Sequence, residues 1–230
     1  MIVNLLMKKN NFKNIPRTDK WLVLRNHFYR YQPNSSEFGS SHAEHIQNHF
    51  QNCLEWAPLR NFFFERLEAA EFHWFFVQGV DSLMHGLYVP AVSSLLGGIE
   101  ASLRFTIDQM NTAGVIDNLS PYKVLSNSLI KNGKDLGLPI ETLAFPSEKD
   151  FLDKLKSEKP NRIDVEIVRQ RNNICHGNII EYVNHDLGPD NSFFTPVSLR
   201  KLSFDLLDIS GLWAEKLGEF RRRKLNRKTS

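Results

Sequence analysis

The sequence predicts an all-α protein, a bundle of about five main helices from residue 58 onward behind an N-terminal extension. Three observations predict it. Apolar residues recur at three- and four-residue steps over long segments. No set of segments alternates with period two, as half-buried strands would. Glycine and proline fall where helices start and stop rather than at hairpin spacing. The expected organisation is an extension over residues 1–57, a helical domain over 58–220 and a basic tail over 221–230.

Residues 1–40 read as irregular, and YQPNSSEFGSS (31–41) has the composition of a loop or linker. WLVLRNHFYRY (21–31) fits a short helix or a strand equally, and residues 43–56 are weakly helical. Beyond Pro58, Phe63, Leu67, Ala70, Trp74, Val77 and Val80 form one wide apolar face, so a single amphipathic helix is expected to end near Gly86. A second helix is expected over 88–110, with Pro90 near its start and Val92, Leu95, Leu96, Ile99, Leu103 and Ile107 as its stripe. Gly97 and Gly98 lower its intrinsic stability by about 1 kcal/mol each relative to alanine, and their small size would admit a close helix neighbour. Ser120 is the expected cap of a helix carrying Val124, Leu125, Ile130 and Leu136, and Ser147 the cap of a short one. After Pro160 a helix is expected from about Asp164 to His176, stopped by Gly177. Residues 181–195 read as loop. A last helix buries Leu199, Leu202, Leu206, Ile209, Trp213 and Leu217.

The formal charge is +3, but six of the 29 basic residues lie in the last ten positions, beside no acid. The remaining 23 basic residues face 26 acidic ones, so the body is not a basic protein and nucleic-acid affinity would need a local patch or the tail. That tail reads either as a solvated terminus or as a phosphate contact. No stretch approaches the roughly 20 apolar residues of a membrane span. The N-terminal MIVNLLMKKNNFKN has the reverse order of a signal peptide. Two cysteines, Cys53 and Cys175, make no disulfide framework, and a reducing, cytoplasmic setting is expected.

His42, His45 and His49 share a helical face, a spacing compatible with metal but also with a solvated surface, and no further ligand completes a diagnostic set. Phe72, Trp74, Phe75 and Phe76 could stack nucleobases, but their spacing favours core or a dimer interface. Phosphate-binding glycine loops, nucleophile elbows and H-E-x-x-H pairs are absent from the sequence.

The stretch RQRNNICHGN (169–178) is too polar for a core helix and too closely joined to Ile163, Val165, Ile167 and Val168 for a free turn. Asn172 and His176 lie four apart on one face, with Arg171 at its edge. An imidazole in a last helical turn can exchange protons near neutral pH, and a guanidinium beside it suits a phosphate. Each residue also has a plainer reading. His176 could cap backbone carbonyls, Arg171 could pair with Glu166 or Glu100, and Cys175 could be a small buried thiol rather than a nucleophile. Glu100, alone on an apolar helix, could be a satisfied buried carboxylate or a support for the site.

The Arg171-Asn172-x-x-x-His176-Gly177 element resembles the R-x4-H signature of the HEPN superfamily. YVPAVSSLLGGIEASLRF (88–105), an apolar helix with embedded Glu100, resembles the preceding HEPN helix. The likeness spans roughly residues 60–215. It implies an all-α, commonly dimeric bundle, which in many members is a metal-independent endoribonuclease of prokaryotic toxin, phage-defence or stress systems. In others it is a non-catalytic module that binds RNA or a protein. On this resemblance Arg171, Asn172 and His176 are the expected catalytic residues, with Glu100 and Arg169 supporting. No metal or cofactor is implied. RNA and a second copy of the chain are the expected partners, with an antitoxin or regulatory protein as a further one, contacted in one version by the N-terminal 50 residues. Some HEPN toxins carry a modified tyrosine two residues past the histidine. Asn178 stands there in this chain.

Transesterification at the RNA 2′-hydroxyl needs a base, an acid and positive charge on the phosphorane. One motif supplies one imidazole. Two copies facing across a two-fold axis supply two, with two arginines.

Overall fold

The computed structural model describes residues 57–67, 72–112, 116, 118–119, 123–183 and 194–225. The chain divides into two compact units, Met1–Phe62 and Phe63–Ser230. The expected extension up to residue 56, including the histidine triplet at 42, 45 and 49, lies outside the described residues. Among the described residues every regular element is helical. The α-helices are α1 (57–67), α2 (His73–Met84), α3 (Tyr88–Asn111), α4 (Asn127–Asp135), α5 (Phe151–Lys156), α6 (Glu166–Cys175) and α7 (Arg200–Lys224). Short 3-10 turns occupy Ile140–Leu143, Ile179–Tyr182 and Pro196–Leu199.

The single helix expected between Pro58 and Gly86 is in fact two, α1 and α2. Phe63 and Phe76 stack with ring centroids 5.0 Å apart. In one continuous helix the same thirteen-residue separation would span about 20 Å. Phe72, with ψ near −7°, stands outside α2 as its N-cap. The break redistributes the expected stripe. Phe63, Leu67, Val77 and Val80 are buried, whereas Trp74 is 55% exposed.

Helices α2 and α3 form an antiparallel hairpin: Phe72 meets Phe105, Phe76 lies over Gly98, and Leu95 over Gly79. The turn between them closes with Gly86 at φ +66°, its N–H bonded to the Leu83 carbonyl and the Leu87 N–H to Ser82. A β-carbon at Gly98 would lie 2.9 Å from the Phe76 ring. The glycine pair does admit a neighbouring helix, as its composition predicts.

Helix α7 runs parallel to α3 and is tied to it along its length. Ser203 Oγ donates to the Tyr88 carbonyl at 3.5 Å, and the Trp213 indole N–H to Ser102 Oγ at 2.8 Å. Arg221 Nη1 donates to Thr106 Oγ1 and Gln109 Oε1. The Arg221 guanidinium also lies over the Phe72 ring, 5.3 Å from its centroid. Helix α7 thus continues to Lys224, and the basic segment begins inside the fold, with Arg221 buried. The core gathers Phe63, Phe72, Phe76, Leu95, Ile99, Leu103, Leu206 and Trp213.

Two expected caps are displaced. Helix α4 is capped by Ser126, whose Oγ accepts the Leu129 N–H; Ser120, the expected cap, lies outside the described residues. Asp150, rather than Ser147, precedes α5, and its side chain makes no cap bond. Buried Asn127 holds this end of the bundle together. Its amide donates to the Lys154 and Ile163 carbonyls, and its oxygen accepts the Val165 N–H. Glu148 reaches the first turn of α6, its Oε1 accepting the Glu166 N–H at 2.7 Å and a Lys154 ammonium bond at 3.0 Å. This carboxylate satisfies a donor that Val165, an apolar N-cap, leaves open. No helix among the described residues is long and apolar enough to cross a membrane.

Candidate functional site

Helix α6 starts at Glu166, two residues after the expected Asp164, and ends at Cys175 with His176 as its C-cap. Its apolar flank, Ile167 and Val168, is buried, and Gln170 is buried beside it. That burial turns Arg171, Asn172 and Asn173 to the half-exposed side. Beyond Cys175 the chain closes a Schellman turn. The Gly177 N–H bonds to Ile174 O and the Asn178 N–H to Asn173 O, with Gly177 at φ +67°. The His176 N–H bonds to Asn172 O at 3.0 Å. The backbone of the residue pair therefore fixes where the histidine leaves the helix.

Arg171 and Glu100, 71 residues apart in the chain, meet as the sequence allows. Arg171 Nε donates to Glu100 Oε2 at 3.1 Å, and both side chains are 16% exposed. The same Oε2 accepts the Leu125 N–H at 3.0 Å, and Oε1 takes Arg104 Nη1 at 3.4 Å. One carboxylate thus positions the guanidinium of α6, an arginine of its own helix and the loop entering α4. Arg171 Nη1 reaches Asn172 Oδ1 at 3.5 Å. Glu100 thus engages Arg171 through Nε and leaves the two Nη groups without a carboxylate partner among the described residues.

His176 is exposed. Among the described residues its ring makes no hydrogen bond, so the backbone-carbonyl cap open to it in sequence does not form. Cys175 is an exposed free thiol rather than a buried one. Ile179 and Ile180, directly after the turn, are 48% and 75% exposed.

Arg169 meets two carboxylates. Its Nε and Nη2 fork onto Glu166 Oε2 and Oε1 at 2.9 and 2.6 Å, and Nη1 pairs with Glu181. Through these two carboxylates it ties the segment after the turn back onto α6. Glu166 is the partner of Arg169, and not of Arg171. The Arg169 hydrogen bonds hold the Glu166 carboxyl below its ordinary value, and Glu166 in turn raises Arg169. Gln170 Nε2 donates to Glu166 Oε1, and the Tyr182 hydroxyl donates to Gln170 Oε1. Burial pushes the Tyr182 phenol up.

The aromatic cluster splits. Phe72 and Phe76 are core, whereas Trp74 and Phe75 are 55% and 45% exposed. No group of three His, Cys, Asp or Glu among the described residues is arranged to hold a metal ion.

Sequence reasoning missed Arg104, Gln170, Glu181 and Tyr182. Arg104 was within reach, because it stands four residues after Glu100. Glu181 and Tyr182 carried no such signal, since their pairing depends on the direction the chain takes after Gly177. Comparison with known proteins gives no match: no family model, no curated protein and no solved structure is significantly similar to this chain.

Proposed function

We propose that this chain is a HEPN-type endoribonuclease, metal-independent and active as a homodimer, in a prokaryotic defence, stress or toxin system. The observation that carries the proposal is the Glu100–Arg171 contact, which joins the two segments of the HEPN resemblance at 3.1 Å. Arg171 binds the scissile phosphate through its Nη groups. His176, at the end of the same helix, takes the proton of the 2′-hydroxyl, and His176 of a second copy gives a proton to the leaving 5′-oxygen. Asn172 orients the phosphate or the imidazole. Glu100 keeps Arg171 extended, and Arg169 holds the turn that follows the histidine.

Single-turnover cleavage of a structured RNA tests this. The wild-type protein is expected to cut it and the His176→Ala protein to leave it intact; cleavage by the variant at the wild-type rate would overturn the proposal.

A second reading is a non-catalytic module that binds RNA or a protein. It is favoured by the His176 ring, which no group among the described residues orients. Growth arrest on overexpression that depends on His176 separates the two.

A further inference from the structure

The outward stripe of α3 lies between two different walls. Gly97, Glu100 and Arg104 share one helical face, all half-exposed. On one side α2 covers it at Gly97, where a β-carbon would stand 3.2 Å from the Phe75 ring. On the other side α6 reaches it at Glu100 through Arg171. Gly97 and Glu100 are one turn apart, about 4.5 Å along the axis. The Phe75 ring, 45% exposed, therefore meets α3 at Gly97, and Arg171 meets it one helical turn later, at Glu100.

Phe75 is not explained by the core. Its neighbour Phe76 fills the hairpin and is fully buried, whereas Phe75 keeps nearly half its surface in water. Its seat exists because position 97 has no side chain. An aromatic face on one wall and a cation on the other, one turn apart along α3, are complementary to one ligand chemistry in both of its parts, a base and its phosphate.

We propose that Phe75 is a stacking platform for an unpaired nucleobase adjoining the phosphate on Arg171. This rests on the ribonuclease reading. A duplex keeps its bases stacked on one another and presents no free face to the ring. Gly97 is part of the device, since a methyl group there would lift the ring from α3.

The test measures binding by the full-length chain in a His176→Ala background, which leaves the probe uncut. The probe is a fluorescent oligoadenylate of about ten nucleotides, free or annealed to oligouridylate. Phe75→Ala is expected to weaken binding of the free strand roughly 10-fold or more and to leave the duplex unchanged, while Phe75→Trp retains binding. Equal affinity of Phe75→Ala and its parent for the free strand would overturn the platform. So would equal loss on strand and duplex. A change of oligomeric state with RNA affinity unaltered would instead make this face a protein contact and overturn it as well. Failure of the parent to bind either probe, with no cleavage by wild type, would remove the ribonuclease reading itself. Strong binding and cleavage that ignore Phe75 would remove the platform alone.

Discussion

Replacing Glu100 by glutamine tests how the candidate site is held. The substitution keeps shape and volume and removes the charge. In the native protein the carboxylate takes three donors: Arg171 Nε at 3.1 Å, the Leu125 N–H at 3.0 Å and Arg104 Nη1 at 3.4 Å. A glutamine oxygen can still accept from Arg171 and Leu125, both of which use Oε2. Its amide then faces Arg104 donor to donor. The Leu125 bond becomes neutral and loses about 1 kcal/mol, the Arg171 bond keeps its charged donor, and the longer Arg104 contact loses about 0.5 kcal/mol, so Glu100→Gln is expected to cost about 1.5 kcal/mol. For a chain of this size that lowers the melting temperature by about 3–6 °C. Glu100→Ala also strands the Leu125 N–H and the Arg171 Nε, and is expected to cost about 3 kcal/mol. On the proposed function, loosening Arg171 would move the phosphate, and a displacement of about 1 Å is worth roughly 100-fold in rate. Thermal melting and single-turnover RNA cleavage are the assays. A Glu100→Gln protein that melts and cleaves like wild type would refute the idea that this carboxylate positions Arg171.

Gly218→Ala would place a β-carbon 1.9 Å from the Arg66 carbonyl oxygen, a backbone atom that cannot move aside. It is expected to destabilise by about 3 kcal/mol or more in chemical denaturation. Gly177→Ala forces a methyl-bearing residue to φ +67° at the end of α6 and is expected to cost about 1–2 kcal/mol, with RNA cleavage falling because His176 shifts. Glu166, whose carboxyl is depressed by Arg169, contributes stability that is complete above its ordinary value of 4.5 and is lost as pH falls through its lower folded value. Melting curves below pH 4.5 are expected to show a steeper acid loss in wild type than in Glu166→Gln.

The long stripes on α3 and α7 were legible because burial there follows the helical period. Leu95, Ile99, Leu103, Ile107, Leu206, Ile209, Trp213 and Leu217 are all buried as their spacing requires. The break between α1 and α2 was not legible, since Phe63, Leu67, Val77 and Val80 keep helical steps across it. Trp74 fits the stripe by number and faces solvent, because α2 starts with its own phase. The caps at Ser126 and Asp150 were misplaced for a related reason: several Ser and Asp residues precede each helix, and tertiary packing selects among them. At the site, the residue types of Arg171, Glu100 and His176 were readable, and the structure joins the first two. The pairing of Arg169 with Glu181 was not readable, because Glu181 lies beyond a turn whose direction no local pattern gives. Arg221 resembled part of a free basic tail, and only the positions of Thr106 and Gln109 on α3 show it to be an anchor.

The central proposal is that His176 and Arg171 cleave RNA without a metal. Single-turnover cleavage in the presence of a chelator, with the product ends identified, tests it most directly. The wild-type protein is expected to leave 2′,3′-cyclic phosphate and 5′-hydroxyl ends, and the His176→Ala and Arg171→Ala proteins to leave the RNA uncut. Cleavage by either variant at the wild-type rate, or 5′-phosphate ends from the wild type, would contradict it.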